Sequence, residues 1–200
     1  MAVPVLQLTP AHKPAILKHF MALGDEDLRL RFGQRIKPEG IAKYVEALDF
    51  MRDAVFGVFG DDLELAGVAH LALDGKSTGE LGVSVLPAER GKGMGKALFE
   101  RASGHCRNFS VGTLFMHCLA ENAAMMHIAK STGMRIARDS GEADAYLSLP
   151  PGDSASLAQE MMQTPLALFD FALKSQIKAA RAYSNTVAEL QGSGEATQED

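Results

Sequence analysis

ELGVSVLPAERGKGMGKAL, running from Glu80 to Leu98, sets the reading of the rest of the chain. An apolar run with the β-branched Val83 and Val85 ends at Pro87 and reads as a strand. Gly91, Gly93 and Gly95 follow, interleaved with the cations Arg90, Lys92 and Lys96. Apolar residues at Met94, Ala97, Leu98 and Ala102 then recur at helical spacing. A strand, a glycine turn and a helix start together suit a phosphate. First-turn N–H groups have no intrahelical partner, and the helix dipole places partial positive charge there. Glycines let the backbone approach a pyrophosphate closely, and the cations add charge. Two familiar phosphate loops do not fit. Gly91 and the Gly95-Lys96 pair have three residues between them where the nucleoside triphosphate loop needs four, and Ala97 stands where that loop has a hydroxyl. The GxGxxG fingerprint, started at Gly91, would end on Lys96.

Composition narrows the classes. The chain has 200 residues, enough for one full core and an added segment. A net charge of −5 and a pI near 5.7 argue against a nucleic-acid binder, which needs a basic footprint, but allow a local basic pocket. Cys106 and Cys118 have neither metal-ligand spacing nor a disulfide framework, so no metal is expected and a reduced cytoplasm is the default. The first residues lack a basic segment followed by a long apolar one, so no signal peptide is expected. No stretch has the length and uncharged apolar character of a membrane span.

Residues 3–8 read as a first strand, and Thr9-Pro10 as the start of a helix with Ile16, Leu17, Phe20 and Met21 on one face. Gly24 breaks it, and 25–32 is a short helical or irregular piece. Pro38 opens a helix carrying Ile41, Tyr44, Val45 and Leu48. Runs 54–59 and 63–73 form a hairpin around Gly60-Asp61-Asp62, and the turn 75–78 leads into the strand of Glu80. The central helix extends to about residue 107. A strand at 113–119, a helix from Asn122 to Gly133 and strands at 134–138 and 143–149 complete an α/β domain with a mixed sheet over 1–150. After Pro150-Pro151 the character changes to a helical extension over 151–190, starting at Thr164-Pro165. Leu166, Phe169, Leu173, Ile177, Ala180, Tyr183, Val187 and Leu190 alternate three and four apart, one apolar stripe that must bury on its own domain or on a second copy as a homodimer. Lys174, Lys178 and Arg181 read as a solvated face, and 191–200 as a disordered polar tail.

Arg90-x-x-Gly93-x-Gly95, preceded by Val85-x-Pro87, resembles the acyl-CoA-binding signature of the GNAT N-acyltransferase superfamily. The competing reading is a basic glycine turn with no ligand. A second resemblance is Asn122-Ala123-Ala124-Met125 ending in Gly133-Met134, similar to the family's Asn-bearing helix. Leu30-Arg31-Phe32, Glu80 and Leu119-x-Glu121-Asn122 are similar to the bacterial protein-lysine acetyltransferases of that superfamily. The resemblance implies the GNAT fold over about residues 3–149, with a mixed central sheet flanked by helices. It implies that acetyl-CoA lies between two splayed parallel strands, its pantetheine along Val83, Ser84 and Val85. Its pyrophosphate would sit on the amides of Gly91, Lys92, Gly93, Met94, Gly95 and Lys96, beside Arg90, with Asn122 bordering the thiol end.

The implied reaction is direct attack of a primary amine, on a protein lysine or a small molecule, in a ternary complex. A lysine amine has a pKa of about 10.4, so its proton must be removed. Glu80 stands where the family places a glutamate base, and His117, five residues before Asn122, is a second candidate. A backbone N–H of Val83, Ser84 or Val85 can stabilise the developing oxyanion, an effect worth about 3 kcal/mol. The Tyr that many members carry seven residues after the Asn is Ala129 here. That departure leaves an alternative open: a silent acetyl-CoA-binding or sensing module acting through a partner.

Overall fold

The computed structural model describes residues 3–75 and 77–195, with side chains described as far as residue 184. The chain runs β1 (Leu6–Gln7), a 3-10 turn (Pro10–His12), α1 (Lys13–Met21), α2 (Asp25–Phe32) and α3 (Pro38–Glu46). It continues through β2 (Ala54–Phe59), β3 (Leu65–Leu73) and β4 (Thr78–Val85), a second 3-10 turn (Pro87–Glu89) and α4 (Met94–Asn108). Then come β5 (Thr113–Leu119), α5 (Ala123–Ser131), β6 (Arg135–Asp139), β7 (Glu142–Ser148) and α6 (Ser154–Glu195). The expected elements are present, with a shorter first strand and with 25–32 fully helical.

The strands form one sheet in the order β1-β2-β3-β4-β5-β7-β6. β4–β5 is its parallel pair; the other pairs are antiparallel. Side chains of a strand alternate between faces, and here both faces are covered. Phe56, Ala69, Leu71, Leu81, Val83, Leu114 and Met116 pack on Leu98, Phe99, Ala102 and Cys106 of α4 and on Met125, Met126 and Ala129 of α5. Val55, Val68 and Leu65 pack on Ile16 and Phe20 of α1, Leu28 of α2 and Ile41 and Val45 of α3. Phe20, Phe56 and Ile16 are fully buried, and each such side chain contributes about 1.5–3 kcal/mol.

Two expectations about the C-terminal segment are corrected. Its helix begins at Ser154, ten residues before Thr164, and Pro165 lies inside it. The start is set by a reciprocal cap. Asp153 Oδ1 accepts from the Ser156 N–H at 2.7 Å, and Ser156 Oγ accepts from the Asp153 N–H at 2.9 Å. Lys174 is half-buried rather than solvated, whereas Lys178 is exposed as expected; their Nζ atoms donate to the carbonyls of Phe59 (2.8 Å) and Asp62 (2.9 Å) at the β2–β3 turn.

The same helix lies on α4, where the Glu160 carboxylate accepts from Arg101, His105 and Asn108; farther along, Ala167 is buried in the core on the α1–α3 side and Phe171 packs on Phe59 of β2. The apolar stripe consequently points outward, with Leu166 58%, Phe169 70% and Leu173 50% exposed. The side chains of the stripe's Val187 and Leu190 lie outside those described; of the expected disordered tail, 191–195 continue the helix and 196–200 lie outside the described residues. Among the described residues, no helix is long and apolar enough to cross a membrane.

Candidate active site

β4 and β5 pair only at Thr78↔Thr113, Gly79↔Leu114 and Glu80↔Phe115. Beyond Glu80 the two strands part. β4 stays bonded to β3 through Ala69↔Val83, Val68↔Ser84 and Gly67↔Val85, so its other edge is open over Val83, Ser84 and Val85. An open strand edge presents backbone donors and acceptors to an extended ligand. The opening leads to the glycine turn. Gly91 (φ +78°) and Gly93 (φ +81°) are left-handed, and a Cβ at either would meet nothing within 4 Å. Gly93 is the N-cap of α4, so the first-turn N–H groups of Met94, Gly95 and Lys96 face this open ground. Gly95 serves a different purpose: a Cβ there would stand 3.1 Å from Ile128 Cδ1, so its absence lets α4 approach α5.

The turn is exposed rather than covered by protein. Its cations are held nearby by carboxylates: Arg90 on Asp27 (2.6 Å), Lys92 on Glu89 (2.9 Å) and Lys96 on Glu100 (3.7 Å). These ring the turn with charge without filling it. An open edge, two unobstructed left-handed glycines and a helix N-terminus suit the pantetheine arm and diphosphate of coenzyme A.

Asn122 is buried and fully engaged. Its Oδ1 accepts from the Met125 N–H (3.1 Å), capping α5, and its Nδ2 donates to the Leu30 carbonyl (3.2 Å). It therefore ties α5 to α2 and fixes where Arg31 lies. Ser84 is likewise committed on the α1–α3 face of the sheet, where its Oγ bonds His19 Nε2 at 2.8 Å. Burial lowers the pKa of His19 to about 4, so the ring is neutral and its Nδ1–H donates to the Leu65 carbonyl.

On the α1–α3 face, where the strands part, lies a cleft of about 300 Å³. Glu80, Gly82 and Leu81 of β4 line it with His117 of β5, His70 of β3, Tyr44 of α3 and Arg31 of α2. Glu80 and His117, the two residues proposed as bases, thus share one cavity. They differ in environment. His117 Nδ1 donates to Asp144 Oδ1 at 2.8 Å, which raises its pKa, with Glu142 and Glu80 adding to the effect. Glu80 is exposed on its strand.

The floor of the cleft is a relay absent from the sequence reading. The Tyr44 hydroxyl lies 2.8 Å from His70 Nδ1, and His70 Nε2 lies 3.1 Å from Asp53 Oδ2. Burial lowers the pKa of His70, so its ring carries one proton. A carboxylate only accepts, which puts that proton on Nε2 and makes Nδ1 the acceptor of the Tyr44 proton. Burial disfavours the Asp53 anion, but hydrogen bonds from Arg52, the Leu73 N–H and His70 outweigh it and lower its pKa. Arg31 Nη2 donates to the Tyr44 oxygen at 3.1 Å. The signal for this group was a single polar residue, His70, inside the apolar strand Leu65–Leu73.

Ala129 is fully buried, so the usual tyrosine position offers no hydroxyl. Cys118 is buried and its thiol pKa raised by burial, and Ser131 bonds the Ile128 carbonyl.

The sequence model of the acetyltransferase (GNAT) family matches residues 26–134, more than half of the chain, and the chain belongs to that family. No curated relative matches the sequence. Solved structures share the fold. The GNAT domain of S. lividans PAT superposes with a TM-score of 0.62 at 17% identity, over 72% of this chain and 89% of that one. The Salmonella typhimurium yncA protein, solved with its cofactor acetyl-CoA, gives 0.57 at 18% identity, over 75% and 95%. A phosphinothricin acetyltransferase from Sinorhizobium meliloti, solved in complex with acetyl-CoA, gives 0.59 at 13% identity, over 77% and 95%.

Proposed function

We propose that this acetyltransferase moves the acetyl group of acetyl-CoA onto a primary amine, of a protein lysine or a small molecule, by direct attack in a ternary complex. The observation that carries the reading is the end of β4–β5 pairing at Glu80↔Phe115, next to the open turn at Gly91 and Gly93. Bound there, acetyl-CoA supplies an acetyl group activated as a thioester. Gly91 to Lys96 hold the diphosphate with backbone N–H groups and nearby cations. Val83, Ser84 and Val85 bind along the strand edge, and one of their N–H groups faces the reacting carbonyl.

Glu80 takes the amine proton. Its carboxylate is exposed at the cleft, whereas Asp144 holds His117 in its protonated form more firmly than a free histidine. His117, whose protonated form Asp144 favours, lines the same cleft as Glu80. Replacing Glu80 by Gln should lower kcat by roughly 10²–10⁴-fold and leave CoA affinity unchanged. Equal turnover by the variant would remove Glu80 from the role. The buried Ala129 favours one rival, a CoA-binding module without turnover. Release of free thiol above background with any member of an amine panel excludes it.

We infer also that the outward stripe of α6 pairs with a second copy. The three-and-four spacing is that of a helix–helix seam, and its large side chains are half or more exposed at Leu166, Phe169 and Leu173. The membrane-free, cytoplasmic setting and the absence of a resident metal remain part of the same proposal.

A further inference from the structure

Among the described residues no carboxylate pairs with Arg31. Among the described residues its polar partner is the Tyr44 hydroxyl (3.1 Å), and its guanidinium lies 5.0 Å from the ring centre of Phe32 and 5.9 Å from that of Tyr44. Its Nε is buried with no hydrogen-bond partner. The guanidinium is seated flat on the strand. A Cβ at Gly82 would fall 2.3 Å from Arg31 Cζ and 2.3 Å and 2.5 Å from its two terminal nitrogens. Only a glycine admits the group there.

Gly82 is two residues from Glu80 on the same face of β4, a separation of about 6.5–7 Å along the strand. The cleft therefore offers a carboxylate at one end and an uncompensated guanidinium at the other. A planar guanidinium pairs best with a carboxylate or a similar oxyanion, in two parallel hydrogen bonds. Burying a charge without an opposite one is costly, which favours a ligand that brings the anion. A small ligand that carries an amine and a carboxylate close together can therefore meet both groups within this one cleft.

We propose that the acceptor is a small zwitterion of the α-amino-acid type, its amine at Glu80 and its carboxylate on Arg31. The inference rests on the transferase reading and names the acceptor of that site. The lysine side chain of a protein brings a positive amine with no anion behind it, and leaves Arg31 uncompensated.

The test uses the full chain loaded with CoA for binding and with acetyl-CoA for transfer. Its probes are the common α-amino acids, their carboxamides and lysine-containing peptides. At least one free amino acid should bind, and be acetylated, roughly tenfold or more better than its carboxamide. Arg31→Gln should close that gap. Gly82→Ala, which pushes the guanidinium aside but keeps its charge, should close it too and covers the case in which Arg31→Gln does not fold. Equal use of acid and carboxamide, or peptides preferred over free amino acids with no effect of either variant, overturns the proposal. Transfer to no acceptor would sink the transferase reading alone: Arg31-dependent binding of the amino acid would still uphold this site, and no such binding would end it.

Discussion

Asp144 accepts a hydrogen bond from His117 at 2.8 Å, and this contact decides the chemistry of the imidazole. Because its pKa is raised in the folded protein, the pair stabilises the fold fully below the ordinary histidine value near 6.5, and the contribution fades as pH rises through the raised value. Asp144→Asn should lower the His117 pKa, read by proton NMR titration; an unchanged titration would show that Asp144 does not set it. The glycines of the turn carry a second residue-scale prediction. Gly93→Val forces a β-branched residue to φ +81° at the helix N-cap and should weaken CoA binding about tenfold or more, measured by calorimetry. The motif was legible in the sequence because glycines and cations at fixed offsets are local. The Tyr44–His70–Asp53 relay was not, because its members come from α3, β3 and the connection before β2 and meet only when α3 covers β3.

At the scale of an element, α6 reverses a natural assumption. An amphipathic helix usually buries its apolar stripe. This one docks through Ser156, Glu160, Ala167, Phe171 and Lys174 and leaves the stripe outside. Burial disfavours the Glu160 anion, but bonds from His105, Asn108 and Arg101 lower its pKa to about 2. A lowered carboxylate pKa stabilises above the unfolded value near 4.3 and is lost as pH falls toward 2. Acid should therefore detach α6 before neutral solution does, seen as new proteolysis in that helix. Glu160→Gln leaves Arg101 buried without its anion and should cost on the order of 3 kcal/mol in urea unfolding. For the stripe, sedimentation should show a dimer that Phe169→Asp with Leu173→Asp converts to a monomer; a monomeric parent protein refutes the pairing.

Across the whole molecule, one sheet does two jobs. Its α4–α5 face and most of its α1–α3 face are apolar core, and the parting of β4 from β5 interrupts that packing at a single place. Cofactor and acceptor would approach this gap from different sides, the cofactor along the strand edge and the amine from the cleft of Glu80 and Arg31. Adding CoA should slow amide hydrogen exchange in Val83 to Val85 and in Gly91 to Lys96, while β2 and β7 stay as they were. Protection spread evenly over the sheet would argue for general stabilisation instead of a site in the gap.

The order of strands and helices, the glycine turn and the Asn122 cap were all readable from sequence, since periodicity, turn residues and capping act over a few neighbouring positions. The end of β4–β5 pairing, the seating of Arg31 on Gly82 and the outward turn of the α6 stripe were decided only by the tertiary structure. Each depends on distant segments competing for the same space, and spacing along a chain holds no record of that competition.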